Sequence, residues 1–178
     1  RRGEVFHFRQ GDGILVPDAV LGKLNDTLTV SMWLKPTRSA RDATWQPLLV
    51  IKNQPDWKSH IRFDIRWRRF FVKAGNQGVL DTREPLDRDW WSHVVLIRDT
   101  AGAEVFVNGE SRGRLEIKSL PARFTGQVLL GSGAWGGLMS SVRVYAERLS
   151  EEQIAAIIKA ETPPDLPGEN DPAPNIAG

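Results

Sequence analysis

The stretch Thr27–Lys35 narrows the possible folds more than any other part of the chain. Leu28, Val30, Met32 and Leu34 alternate there with Thr27, Thr29, Ser31, Trp33 and Lys35, and Pro36 ends the run. Successive side chains of an extended strand point to opposite sides, so this period of two builds one apolar face. The same period returns in Ile61–Trp67, where Ile61, Phe63, Ile65 and Trp67 alternate with Arg62, Asp64 and Arg66. A turn near Arg68-Arg69 then returns the chain through Phe70–Lys73. Leu48–Ile51 is a short apolar run suited to a buried strand, and Trp91–Arg98 is apolar on both faces, as in a central strand. Val105–Val107 runs into Asn108-Gly109, a dipeptide that tolerates positive φ at both positions of a tight hairpin turn. Gln127–Leu130 and Leu138–Tyr145 add two strands around a glycine-rich loop. No internal repeat and no βαβ alternation breaks the series, so the pattern predicts an all-β antiparallel sandwich of two sheets.

One short C-terminal helix is expected over 151–160. Ser150 and Gln153 stand at capping-box spacing, and Glu151 and Glu152 lie where the helix dipole favours negative charge. Leu149 and Ile154 occupy the hydrophobic-staple positions, and Ile154, Ile157 and Ile158 share one face. After it, residues 162–178 hold five of the eleven prolines and no periodicity. The expected organisation is one domain over 1–161 and a Pro-rich linker or tail over 162–178. The chain opens at Arg1 with neither methionine nor an apolar signal region, as expected of a fragment or a processed chain.

Several chemistries lack their residues. The chain has no cysteine, which removes thiolate metal sites and cysteine nucleophiles. His7, His60 and His93 lie far apart without metal-ligand spacing. No apolar run nears the ~20 residues of a membrane helix. Gly131–Gly136 matches G-x-G-x-x-G, but a strand rather than a helix is expected to follow, so no pyrophosphate cradle is implied. No G-x-S-x-G elbow occurs, and no carboxylates cluster along one strand as a glycosidase needs. No catalytic residue is assigned, and no signature of a nucleic-acid module is present.

Five stretches, in this order, resemble the laminin G-like branch of the concanavalin A-like lectin/glucanase superfamily: LTVSMWLKP (28–36), WWSHVVLIRD (90–99), EVFVNGE (104–110), VLLGSG (128–133) and GGLMSSVRVYAERLSEEQI (136–154). FHFRQGDGILVP (6–17) fits the opening strand of that family. The resemblance implies a jelly roll of two stacked sheets and a module that binds glycans or proteins, with Tyr145 and Trp135 in packing roles. It also exposes two departures. Arg9 stands where the family often has aspartate, and Ser140-Ser141 where it usually has an acidic pair. A hard cation needs carboxylate oxygens, so calcium is disfavoured at the family position and no cofactor is expected. Asp12, Asp18 and Asp26 are the alternative donors, though loop aspartates commonly serve turns.

Seven tryptophans are many for this length. At least two of Trp33, Trp90 and Trp91 are expected in the core. Trp45 and Trp57 lie in polar segments without strand periodicity, where amphipathic rings suit stacking on sugar faces or partner surfaces; the alternative is that they cover the ends of the sandwich. Residues 58–73 carry six basic side chains against Asp64 alone. Arg62 and Arg66, four apart on one strand, would emerge on one face about 13 Å apart. The candidate ligand-binding residues are therefore Trp57, Arg62, Arg66 and Trp67, with Trp45 outlying. Trp67 reaches the surface only if the strand ends or bulges there. The alternative for this face is a solvated sheet surface in which Asp64 neutralises a neighbour.

These residues and the resemblance together point to a non-catalytic carbohydrate-binding module of a larger secreted, periplasmic or cell-surface protein. Its expected partner is a polysaccharide or glycoconjugate, with acidic polysaccharide favoured by the basic strand. The competing expectation is a protein–protein interaction or structural module in a multidomain extracytoplasmic protein. Millimolar calcium is expected to leave the melting temperature unchanged. A rise of several degrees, reversed by chelator, would contradict this reading of Arg9 and Ser140.

Overall fold

Alternation becomes architecture where two apolar faces meet. The computed structural model describes residues 5–8, 13–17, 26–36, 44–52, 60–75, 77–87, 89–118, 127–131 and 135–161. Its strands are β1 (Val5–Phe8), β2 (Ile14–Leu15), β3 (Leu28–Pro36), β4 (Gln46–Ile51), β5 (Ile61–Arg66) and β6 (Arg69–Ala74), followed by β7 (Val79–Asp81), β8 (Ser92–Asp99), β9 (Gly102–Val107), β10 (Glu110–Glu116), β11 (Val128–Leu130) and β12 (Gly137–Tyr145). The first sheet has the order β1-β12-β3-β8-β9-β10 and the second β2-β11-β4-β5-β6-β7. All neighbours are antiparallel. The result is a two-sheet β-sandwich of jelly-roll type.

Leu28, Val30, Met32 and Leu34 of β3 face the core, as their spacing requires, with Phe63 and Ile65 of β5 and Phe70 and Val72 of β6 in the same cluster. Trp135 joins them, fully buried. Two strands have no counterpart in the sequence reading. Both β7 and β10 end a sheet, and a mostly polar strand such as ESRGRLE suffices at an edge. The hairpin β5–β6 turns one residue earlier than expected, at Trp67-Arg68 rather than Arg68-Arg69. The strand β12 follows the G-x-G-x-x-G stretch directly.

One tryptophan expectation fails. Trp33 is buried, but Trp90 is 72% exposed and Trp91 partly so. Strand β8 begins only at Ser92, which leaves both rings in the approach to it, after Asp89 with φ 61°.

The helix α1 (Glu151–Ala160) forms as its capping signals require. Gln153 N donates to Ser150 Oγ at 3.2 Å, and Ser150 N donates to Gln153 Oε1 at 2.7 Å. Leu149 and Ile154 are buried with Val95, Ile97 and Phe106 on the outer face of the first sheet, and Tyr145, Ile157 and Ile158 pack around them. The helix therefore explains why β8 is apolar on both faces. Asp99 and Glu104 tie this layer to its neighbours. Arg114 grips Asp99 with both terminal nitrogens, at 2.6 and 3.0 Å, and Arg148 bonds both Asp99 and Glu104. Burial would raise the Asp99 carboxyl, but its bonds from Arg114 and the Ala101 amide hold it below its ordinary value.

His93 is fully buried in the same outer layer. Its Nε2 lies 2.9 Å from Ser31 Oγ, its ring meets Trp33 edge-on at 5.2 Å, and its Nδ1 has no hydrogen-bond partner. Burial, and then the nearby Arg143 cation, push its pKa down to about 4 from 6.5. A depressed histidine pKa means that the unfolded chain takes up the proton first as acid is added. Stability is then untouched above pH 6.5 and falls between 6.5 and about 4, by roughly 1 kcal/mol per pH unit. The variant His93→Gln is expected to flatten the melting temperature against pH across that window. An unchanged slope in the variant would show that the acid sensitivity arises elsewhere.

Candidate functional site: the outer face of the second sheet

The second sheet has no helix among the described residues on its outer face, and β5 and β6 put most of its charge there. Ile61, Phe63 and Ile65 point inward, so Arg62, Asp64 and Arg66 point outward. On β6, Phe70, Val72 and Ala74 point inward and Arg69, Phe71 and Lys73 outward. The register pairs Arg62 with Lys73, Asp64 with Phe71 and Arg66 with Arg69. Four cations therefore stand in two cross-strand pairs, separated by the Asp64–Phe71 pair.

Aromatic rings hold three of these cations. Trp45, just before β4, meets Phe71 edge-on at 5.0 Å. The ammonium of Lys73 lies 3.2 Å from the centroid of Trp45, and the Arg66 guanidinium lies 4.8 Å from it. Arg66 also lies 3.9 Å from the centroid of Trp67, and Arg69 lies 5.6 Å from Trp67 and 5.5 Å from Phe71. Each contact is a cation–π attraction, and together they restrict the rotamers of three long side chains. Trp67 is 44% exposed because the strand ends at Arg66; Trp67 and Arg68 form the turn with φ values of 51° and 62°. The left-handed region is unfavourable for both residue types, so the turn stores strain in presenting that ring.

Asp64 lies beneath the cations with its side chain wholly buried. Arg62 Nη2 donates to its Oδ1 at 2.9 Å, and Lys73 Nζ stands 3.8 Å from its Oδ2. Burial, with repulsion from Arg62 and Arg66, lowers the Lys73 pKa, although Asp64 acts to raise it. Arg69 pairs with Asp81 at 3.0 Å.

Arg62, Arg66, Trp67 and Trp45 thus come together on one surface. Trp57 lies outside the described residues. Lys73, Arg69 and Phe71 were not among the candidates, yet they complete the surface. Their signal was the hairpin itself, since a two-residue turn makes Arg69 the partner of Arg66 and Lys73 that of Arg62. Asp64 pairs with Arg62 and stands near Lys73, the contact that the alternative of a solvated sheet surface also foresaw.

Among the described residues no three His, Asp or Glu side chains converge as metal ligands, and no helix is long and apolar enough to cross a membrane. Asp12 and Asp18 lie outside the described residues. Asp26 accepts from Thr27 Oγ1 at 3.3 Å, and its carbonyl accepts from the buried Arg98.

A buried carboxylate shared by two cations makes their removal non-additive. Arg62→Ala or Lys73→Ala alone leaves Asp64 one partner, whereas the double variant strands its charge. In a denaturant double-mutant cycle the paired loss is expected to exceed the sum of the single losses by about 1 kcal/mol or more. Simple additivity would mean that Asp64 does not need either cation.

Solved structures with this fold include the CBM40 domain of the Ruminococcus gnavus IT-sialidase bound to α2,3-sialyllactose, with a TM-score of 0.65 and 18% identity over 88% of this chain and 96% of that one. Domain 4 of a GH43 extracellular arabinanase from Geobacillus stearothermophilus, in complex with arabinotriose, matches with a TM-score of 0.62 and 21% identity over 82% of this chain and 71% of that one. The botulinum neurotoxin serotype D binding domain matches with a TM-score of 0.65 and 16% identity, over 86% of this chain but 41% of that one. At these identities the likeness is one of fold. No curated protein sequence matches the chain. A laminin G family model matches residues 8–155, nearly the whole sandwich, and by that match the chain belongs to the concanavalin A-like lectin/glucanases superfamily.

Proposed function

We propose that the protein is a non-catalytic carbohydrate-binding module, and that it takes acidic glycans on the outer face of β4, β5 and β6. One observation carries the acidic preference. The faces of Trp45 and Trp67 are already met by Lys73 and Arg66, so the rings serve first to aim cations and only second as sugar platforms. A guanidinium fork held in place binds a carboxylate or similar oxyanion at less entropic cost than a free one. The two cation pairs lie about 13 Å apart along the strands, more than one sugar ring, which suits two acidic groups of an extended chain. Two of the similar structures hold sialyllactose and arabinotriose, which supports a binding role for such a fold. The arabinanase among them is extracellular, in keeping with a secreted, periplasmic or cell-surface setting for this module.

Trp57 belongs to the proposed surface by its place in the sequence, four residues before β5. The double variant Arg62→Ala/Arg66→Ala is expected to weaken binding to acidic polysaccharide roughly tenfold or more and to reduce its salt dependence. Trp67→Ala and Trp57→Ala are expected to weaken it with the salt dependence kept. Affinity electrophoresis in gels holding neutral or acidic polysaccharides, at two salt concentrations, measures both quantities. Folded protein that no polysaccharide retards would favour the protein-interaction module instead.

A further inference from the structure

From the charge pattern of this face, and resting on the carbohydrate reading above, we infer that the site selects sugars bearing a carboxylate beside free hydroxyls and disfavours sulfated ones. The cations of this face come with fixed acids. Arg62 and Lys73 share Asp64, and Arg69 has Asp81. The face is therefore not a uniform positive field but cations interleaved with acceptors. A densely sulfated chain gains from a uniform field, whereas here Asp64 beneath the cations and Asp81 beside them offset part of that field.

The second carboxylate oxygen of Asp64 adds to this. Its Oδ1 accepts a close bond from Arg62, but among the described residues no donor lies within close hydrogen-bond distance of the buried Oδ2, whose partner is the Lys73 ammonium at 3.8 Å. Buried acceptors in folded proteins are nearly always satisfied, so this oxygen is short of a donor. Lys73 covers it with a partly exposed side chain that also lies against Trp45. A ligand carboxylate draws that ammonium outward, and a neighbouring hydroxyl then donates to Oδ2. One sugar ring with a carboxylate and vicinal hydroxyls supplies both groups. A sulfate ester replaces such a donor hydroxyl with acceptor oxygens and supplies only one of them.

The test compares three polymers at one ionic strength: an unsulfated polyuronate, the same polymer with its carboxylates reduced to alcohols, and dextran sulfate. The polyuronate is expected to bind about tenfold more tightly than dextran sulfate, with the reduced polymer weaker still. Calorimetry with sialyllactose against lactose then distinguishes a terminal carboxylated sugar from an internal uronate as the source of the same chemistry. Asp64→Asn and Asp81→Asn are expected to raise dextran sulfate binding while lowering or sparing polyuronate binding. Asp81 is partly exposed, so its variant keeps the test valid should Asp64→Asn unfold. Dextran sulfate binding as tightly as polyuronate, or variants that shift both ligands alike, would overturn the inference while leaving a carbohydrate site in place. A folded protein that binds neither polymer nor sialyllactose would overturn the carbohydrate reading, and this inference with it.

Discussion

The packing of Ile154 against Val95, Ile97 and Phe106 decides which surface of this sandwich faces outward for use. A two-sheet sandwich has two outer faces, and both begin equivalent. Helix α1 covers one of them with Leu149 and Ile154, and its start is fixed by two reciprocal bonds between Ser150 and Gln153. The salt-bridged group of Asp99, Glu104, Arg114 and Arg148 holds the approach to the helix against the β8–β9 hairpin. With that face occupied, the uncovered outer face of the second sheet is the one on which the cations of β5 and β6 stand.

What sequence alone revealed follows from how local the controlling physics is. The strands with strict alternation, β3 and β5, need only their own residues to be read, and so does the cap of α1. The strands β7 and β10 do not, because an edge strand takes its pairing from its neighbour rather than from its own apolar pattern. Trp90 and Trp91 misled because they adjoin the apolar run read as a strand from Trp91, while the start of β8 at Ser92 is set by its pairing with β3, where Ser92 meets Leu34. The site divides in the same way. Arg62 and Arg66 could be placed on one face by counting residues. The partnership of Lys73 and Arg69 needed the turn position, which lay one residue from where composition put it.

Charge placement on the site face follows one rule throughout. Cations there are either compensated by a carboxylate beneath or beside them, or lie against an aromatic ring. Asp64 and Asp81 do the first, and Trp45, Trp67 and Phe71 the second. Both devices lower the cost of crowding like charges on adjacent strands, where direct opposition is otherwise destabilising.

The β9–β10 and β5–β6 hairpin turns differ in what they contribute before the sandwich exists. Asn108-Gly109, with φ values of 52° and 87°, adopts its turn at little conformational cost, so the β9–β10 ribbon has a local reason to form early. Trp67-Arg68 must enter the left-handed region without glycine, and the β5–β6 ribbon gains its reward only when Phe63 and Phe70 meet the opposite sheet. The cation-bearing hairpin therefore gains less from its own turn than the β9–β10 ribbon does. Once formed, that ribbon is flanked by β4 and β7 within the second sheet, so the strain stays in its turn while the strands on either side are held by their neighbours and the core.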